Sequence, residues 1–573
     1  MKTMTRALLA VLVLATSATA ETKPKPNLRL KARTATKVSA VRAKSVAIGT
    51  DGAHANITIG ADLRTIKELL AKASSLTLEE EAATKIAKML RGPLRNGDTG
   101  LYVADARTGQ PLFAINADEA FNPASNVKMI STAAALELLG PTFRYPTRLL
   151  GAAPDAGVVH GDVYLLGSYD PTLTAADLGE IAQAVSDRGI TAIEGSVVIG
   201  SDPTRDGIYR AVIPIEIAAG EPGTAPTATI PMSAEHVFVT VTAKTAKRVM
   251  RPRLTYKVET TKNPSGLPRI HLTIGGTIGL GGVTMFPIAT RERTATAGYA
   301  LKGALAARNI HVAGDLKFLE LGDFVGEAVG AGTLPIELGR HESRPLSDIV
   351  TRVNKWSINW LADRVIMTAA ALTRRQPPSM ELALDAMYAW LARHPHIAKS
   401  DLYVDTGSGL SYRTKISPTE LVSIVRSAAG YAQDSDPTLG AAWTSSLSIA
   451  GTDGTLRHRV RGAEIAARVR GKTGTLSTAI AMSGLVDVDP DHPLAFALVT
   501  NTKRPLSKAA VRKAHDQVIG ALCTYVAKTS KANPLVATPT AAPAPTAALA
   551  PTVDDPEDVE HDPMLDAETS GQE

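Results

Sequence analysis

The 573-residue chain predicts an α+β fold, on three observations. Helical periodicity gathers in two outer segments. The stretch between them is a succession of short strand-like runs broken by Gly and Pro. Near the C-terminal end, two continuous apolar runs have the character of central strands.

In chain order, helical patterns come first, at Leu63–Ala73 and Leu78–Leu90. Gly100–Ala106 and Pro111–Asn116 read as two strands around a Thr108-Gly109 turn. Asn122-Pro123-Ala124 leads into a helix over Ser125–Leu139, which Gly140-Pro141 stops. From 148 to 335 the character changes. Val163–Leu166, Ser196–Ile199, His236–Thr242, Arg253–Val258 and Arg269–Ile274 read as strands, and only Ala175–Arg188 and Ala295–Ala307 as helices. This segment is read as a mainly β insertion. Helix returns at Leu346–Lys355, Ile358–Leu372 and Met380–Arg393. Gly471–Gly474 then opens a strand, Ala479–Val486 and Leu494–Thr500 are the apolar runs, and Ser507–Ala527 is a closing helix.

The ends read differently. Residues 1–20 have a charged start (Lys2, Arg6), a short apolar run Ala7–Ala15 and a small-residue Ala18-Thr19-Ala20 site, the pattern of a secretory signal. Residues 21–60 are expected to be a flexible basic leader, with eight Lys/Arg against Glu21 over 21–44. Residues 531–573 begin Pro/Ala/Thr-rich and finish with nine Asp/Glu and no Lys/Arg over 553–573, a composition expected to stay disordered. The charges of these ends cancel, which leaves the net +6 spread over the long middle of the chain, too dilute for a nucleic-acid footprint. No later stretch is apolar enough for a transmembrane anchor, so the mature protein is expected beyond the cytoplasmic membrane without one. The single cysteine, Cys523, excludes an intrachain disulfide and reads as a core residue. His394 and His396 lack other clustered ligands, and the Gly275–Gly282 run lacks the lysine of a phosphate loop. No metal or cofactor is expected.

Three short motifs carry chemistry. Ser125-Asn126-Val127-Lys128 is an S-x-x-K, Ser357-Ile358-Asn359 an S-x-N, and Lys472-Thr473-Gly474 a K-T-G. Each occurs once, the first opening a helix, the second preceding one, the third in a strand. Ser125 alone would be unremarkable as a helix N-cap; the ordered set is not. A serine hydroxyl needs a base to become a nucleophile. Positions i and i+3 share a helix face, so Lys128 can reach Ser125. Burial and a neighbouring cation such as Lys472 would lower the Lys128 pKa and make it a base. Ser357 can relay a proton to the leaving amine, and Asn359 can orient a peptide bond and hold the lysine. Lys472 and Thr473 suit a free carboxylate, and the strand after Lys472 can pair with an extended peptide. The backbone N–H of Thr475 can complete an oxyanion hole with that of Ser125.

These residues, with the stretches around them, resemble the D-alanyl-D-alanine carboxypeptidase/endopeptidases of the low-molecular-mass, class C penicillin-binding proteins. The likeness runs through Asn122–Gly140, Gly161–Leu178, Ser343–Val365, Asp405–Ser411 (DTGSGLS), Ser448–Arg459 and Arg470–Val486, and covers about residues 75–527. It implies a β-lactamase/DD-transpeptidase-like catalytic domain, a five-stranded antiparallel sheet flanked by helices, assembled from 61–147 and 336–530. The separation of 232 positions from Ser125 to Ser357 holds the long insertion typical of this class. The chain departs from its relatives in the insertion, where Tyr169 replaces a usual glycine and Glu235-His236 stands in a segment without tryptophan. The resemblance implies a serine DD-peptidase. Peptidoglycan stem peptides or cross-links would be its substrates, and β-lactams would acylate Ser125. Two other readings share the residues: a β-lactamase or esterase on the same fold, and a non-catalytic cell-wall-binding scaffold. The lifetime of a penicilloyl adduct separates the first from a peptidase, and failure to label with penicillin would mark the second.

Overall fold

In the computed structural model, the described residues are 44–50, 53–59 and most of 84–529, with gaps including 201–211, 231–234, 320–334 and 463–467. The signal-like residues 1–20, the helical patterns before residue 84 and the tail 531–573 lie outside them.

The main sheet has eight strands: β1 (Lys44–Thr50), β2 (Ala53–Ile59), β3 (Asp98–Asp105), β4 (Pro111–Ile115), β5 (Ser448–Ile449), β6 (Val469–Thr475), β7 (Ala479–Val486) and β8 (Leu494–Asn501). Their order is β2-β1-β4-β3-β8-β7-β6-β5, and the pairs are antiparallel. The central five, β4 to β6, form the sheet the resemblance implies. The remainder corrects the sequence reading: residues 44–59, expected within a flexible leader, form a hairpin whose first strand pairs with β4.

Among the described residues, the helices outside the insertion include α1 (Lys128–Leu139), α2 (Leu346–Trp356), α3 (Asn359–Arg374), α4 (Met380–Arg393), α5 (Pro418–Ala428), α6 (Pro437–Ser446) and α7 (Lys508–Thr529). Strands β7 and β8 show why the helices divide as they do. Side chains alternate between faces along a strand. Ala481, Leu485, Ala495, Ala497 and Val499 join the core formed with α1 to α6, whereas Met482, Val486, Leu494, Phe496 and Leu498 pack with α7. Mostly small residues on one face let the helical cluster approach closely, and large ones on the other fill the space under a single helix. Cys523 lies in that second core, 2% exposed, and burial pushes its thiol up to about 12, so it is inert at neutral pH.

Helix α1 is buried at nine of its 12 positions, including Lys128, Ser131 and Thr132. It is the central helix of the cluster, against which α2, α3, α4, α5 and α6 pack. A helix hydrophobic around most of its circumference is held by its neighbours rather than by its own propensity.

The insertion leaves on Pro146–Gly151 and returns on Ile336–Glu342, two antiparallel strands that pair side by side from Pro146↔Glu342 to Ile336↔Gly151. They belong to a five-stranded sheet in which Val163–Leu166, Val197–Gly200 and Leu316–Leu319 are parallel neighbours. Helices Ala175–Asp187 and Arg293–Ala306 complete this layer. A second, all-β part uses the antiparallel pair Val212–Ala218/Val283–Ala289 and the hairpin Arg253–Lys262/Pro268–Ile278, with a core of isoleucines and leucines such as Ile215 and Leu272. The "mainly β" description thus fits the second part, while the first is a mixed layer with parallel pairs. His236 lies against the helix of the first part, stacked on Tyr299 with ring centroids 4.3 Å apart. Tyr169, in the place of the usual glycine, takes the left-handed conformation at φ 65° that a glycine enters without steric cost.

Candidate active site

Ser125 does not open an α-helix. It lies in a 3-10 turn, Ala124–Val127, that makes no side-chain capping bond, and the α-helix begins at Lys128. From Phe121 to Ile130 every residue is buried except Ser125. Two close approaches fix the turn. A Cβ on Gly409 would lie 2.2 Å from the Ala124 carbonyl oxygen, and one on Gly474 would lie 2.5 Å from that of Pro123. The glycine of the K-T-G motif is therefore a steric requirement: it lets β6 pass over the turn that presents the serine.

Lys128 is fully buried, and its Nζ lies 3.0 Å from Ser125 Oγ, 2.6 Å from Asn359 Oδ1 and 2.7 Å from the Ser408 carbonyl oxygen. The last two can only accept. In neutral lysine they take two N–H bonds and leave the nitrogen lone pair directed at the Ser125 hydroxyl. Burial brings the Lys128 pKa down to about 7, against the opposing influence of Asp363. The Lys472 pKa also falls well below its ordinary value, through burial and then repulsion from Lys128.

The other half of the site is built on β6. Lys472 Nζ donates to Ser357 Oγ at 2.7 Å and to the Thr473 carbonyl at 2.8 Å, and Lys472 is itself fully buried. Ser357 ends α2 in the left-handed region, at φ 61°, a strained conformation of the kind found where position matters more than local energy. The structure ties Ser357 to Lys472 by this bond. The Leu476 N–H bonds the Ala479 carbonyl across the β6–β7 turn. By antiparallel alternation, Thr475 then turns its N–H away from β7, toward the open edge of β6. That is the direction an oxyanion-hole donor beside Ser125 requires.

Residues 82–524 match the D-Ala-D-Ala carboxypeptidase 3 (S13) family. The chain belongs to this family. It is a serine-type D-Ala-D-Ala carboxypeptidase, of the low-molecular-mass class C penicillin-binding proteins. It is 28% identical over 491 residues to the D-alanyl-D-alanine carboxypeptidase of an Actinomadura species, covering 78% of this chain and 85% of that one. It is 26% identical over 447 residues to a carboxypeptidase of Mycolicibacterium smegmatis, covering 74% of this chain and 82% of the other. The crystal structure of penicillin-binding protein 4 from Haemophilus influenzae in complex with a β-lactam superimposes with a TM-score of 0.58 at 19% identity, covering 77% of this chain and 99% of that one, and shares its fold.

In this carboxypeptidase, three contributors to the site carry no signal in the motifs. Asp363 stands four residues after Asn359 on α3, hence on the same helix face. Its buried carboxylate accepts the Ser408 N–H at 2.7 Å, which aligns the carbonyl that holds Lys128. Burial raises the Asp363 pKa, while Lys128 and the hydrogen bonds at Ser408 oppose that. Ser408 acts through its backbone, invisible to a search for reactive side chains, although the DTGSGLS stretch around it marks the segment. The third is Thr455, whose hydroxyl accepts from Thr473 Oγ1 at 2.9 Å.

Other groups of potential ligands have ordinary partners. His394 pairs with Glu137, and His396 lies outside the described residues. In the insertion, Asp177, Glu180 and His341 come together, but Asp177 closes the capping box of its helix and Glu180 pairs with His341 at 2.7 Å. No helix among the described residues is long and apolar enough to cross a membrane.

Proposed function

We propose that the carboxypeptidase acts on peptidoglycan stem peptides through an acyl-enzyme on Ser125. The observation that carries this is the triple coordination of Lys128, which leaves one lone pair for one hydroxyl. Ser125 Oγ attacks the carbonyl of the penultimate D-alanine and gives its proton to neutral Lys128. The oxyanion forms against the N–H groups of Ser125 and Thr475. Ser357 accepts from Lys472, so its own O–H proton is free to pass to the leaving amine, after which Lys128 returns a proton to Ser357. Thr473, with the Lys472 charge behind it, receives the substrate carboxylate, and the open edge of β6 pairs with the peptide. Water then releases the acyl group. β-Lactams present an amide and a carboxylate to the same groups. The signal-like residues 1–20 support an extracytoplasmic setting, periplasmic or equivalent.

Mass spectrometry of purified muropeptides before and after incubation tests the reading. Loss of terminal D-alanine, or opening of cross-links, is expected with the wild type and at least about 10³-fold more slowly with Ser125→Ala. Undiminished release by Ser125→Ala would remove Ser125 from the mechanism. A penicilloyl adduct that persists on a gel is expected, and one that turns over rapidly would point to a β-lactamase.

A further inference from the structure

The hydroxyl of Thr473 does not end at the cleft. It donates to Thr455 Oγ1 at 2.9 Å, Thr455 Oγ1 lies 3.3 Å from Ser448 Oγ, and Ser448 Oγ donates to the Lys355 carbonyl at 3.1 Å. Three hydroxyls thus run inward from the K-T-G strand to a backbone carbonyl, which can only accept. The segment that carries Thr455 is fastened to that carbonyl's own residue. Asp453 pairs with the Lys355 ammonium, which also donates to the Leu447 carbonyl at 3.2 Å. Gly454, at φ 53°, lies so close that a Cβ there would sit 2.4 Å from Ser448 Oγ and 2.6 Å from the Lys355 oxygen.

This arrangement constrains how Thr473 binds an anion. With its proton on Thr455, Thr473 offers lone pairs to the cleft and repels a carboxylate. To bind one, it must turn its O–H outward. The lone pair thereby exposed to Thr455 needs a donor, and the Thr455 hydroxyl, which can reverse its own O–H, supplies it. Hydroxyl chains of this kind polarise one another, so the outward array strengthens the bond to the anion.

We infer that Thr455 is a positioning residue for carboxylate recognition. It holds Thr473 inward in the empty site and donates to it when the C-terminal carboxylate of substrate, or that of a β-lactam, arrives. The inference rests on the acyl-enzyme reading above and names the residue that makes its carboxylate site adaptable.

The test compares acylation by benzylpenicillin with acylation by its methyl ester, which lacks the anion, in wild type, Thr455→Val and Thr455→Ser. Valine keeps the shape and removes the donor, and serine keeps the donor. Thr455→Val is expected to cut the acid-to-ester rate ratio about fivefold, the size of one net hydrogen bond between neutral groups. The ester rate and the melting temperature should stay at wild-type values, and Thr455→Ser should restore the ratio. A Thr455→Val enzyme that slows equally on both compounds, or on neither, overturns the role of Thr455. A wild type that is acylated by neither overturns the acyl-enzyme reading itself.

Discussion

The cleft and the insertion both bury ionisable groups, and they surround them differently. In the cleft every buried charge has bonds that hold it. Lys128 has three acceptors, Lys472 has two, and Asp363 accepts from Ser408. In the insertion, Asp170 and His236 are buried and half-partnered: Asp170 Oδ1 accepts from the Thr172 N–H and hydroxyl and His236 Nε2 lies 3.4 Å from Thr296 Oγ1, while Asp170 Oδ2 and His236 Nδ1 have no protein partner among the described residues. Burial pushes Asp170 up to about 6 and His236 down to about 4, toward the uncharged form in each case. The same desolvation brings Lys128 from the ordinary lysine range down to about 7, where both of its protonation states are accessible. The cleft differs in setting its shifted amine 3.0 Å from the hydroxyl of Ser125, so that the change of protonation has a reacting group beside it.

That contrast can be broken most directly at Lys128. Lys128→Ala is expected to lower the rate of β-lactam acylation about 10³-fold, within the range for loss of a general base, with the fold retained by circular dichroism. An acylation rate within tenfold of wild type would show that Lys128 is not the base.

The next effect belongs to the insertion. His236 has a folded-state pKa of about 4, below the ordinary unfolded value. Above about pH 6.5 it is neutral in both states, and the folded protein has its full stability. As the pH falls toward 4, the unfolded chain takes the proton first and stability is lost, by up to about 3 kcal/mol. Urea unfolding across that window should therefore show a slope that His236→Phe reduces, with acylation at pH 7 unchanged. An identical slope in the variant would assign the acid sensitivity elsewhere, for instance to His515, which burial pushes down to about 3.

The smallest effect sharpens the comparison from the cleft side. Asp363 opposes the fall in the Lys128 pKa. Asp363→Asn keeps an acceptor for Ser408 and removes the charge, so the acidic limb of the acylation profile should move to lower pH. A limb that stays in place, or moves upward, would show that Asp363 acts only by shaping the Ser408 loop.

The elements that were legible in the sequence are those whose pattern has one physical cause. Ala479–Val486 is a strand with all eight residues buried, and its continuous apolar run states as much. The six motif side chains Ser125, Lys128, Ser357, Asn359, Lys472 and Thr473 meet in space because each motif stands on a helix or strand whose local signal is strong. Residues 44–59 form a hairpin without an apolar signature that stands out from the basic stretch before them. The parallel pairing of Val163–Leu166 with Val197–Gly200 was equally hidden, since strand direction leaves no trace in a short apolar run. Ser408 contributes a carbonyl that every residue possesses, and Thr455 is one hydroxyl among many until Thr473 is found beside it.

The pairing of β3 with β8 brings Thr99 to Thr500, 401 residues away, where their hydroxyls meet at 2.9 Å. Closing so large a loop is slow compared with the local contacts of the insertion. The strand pairs and helices between residues 146 and 342 can form from their own segment, while the β3–β4 hairpin must wait for β8, its neighbour encoded near the other end. During synthesis, Ser125 is therefore present in the chain long before the sheet that frames its site can close. A chain released short of β8 carries Ser125, Lys128, Ser357 and Lys472 without the strand that bridges the two ends of the sheet. The topology delays assembly of the site until the molecule is nearly whole.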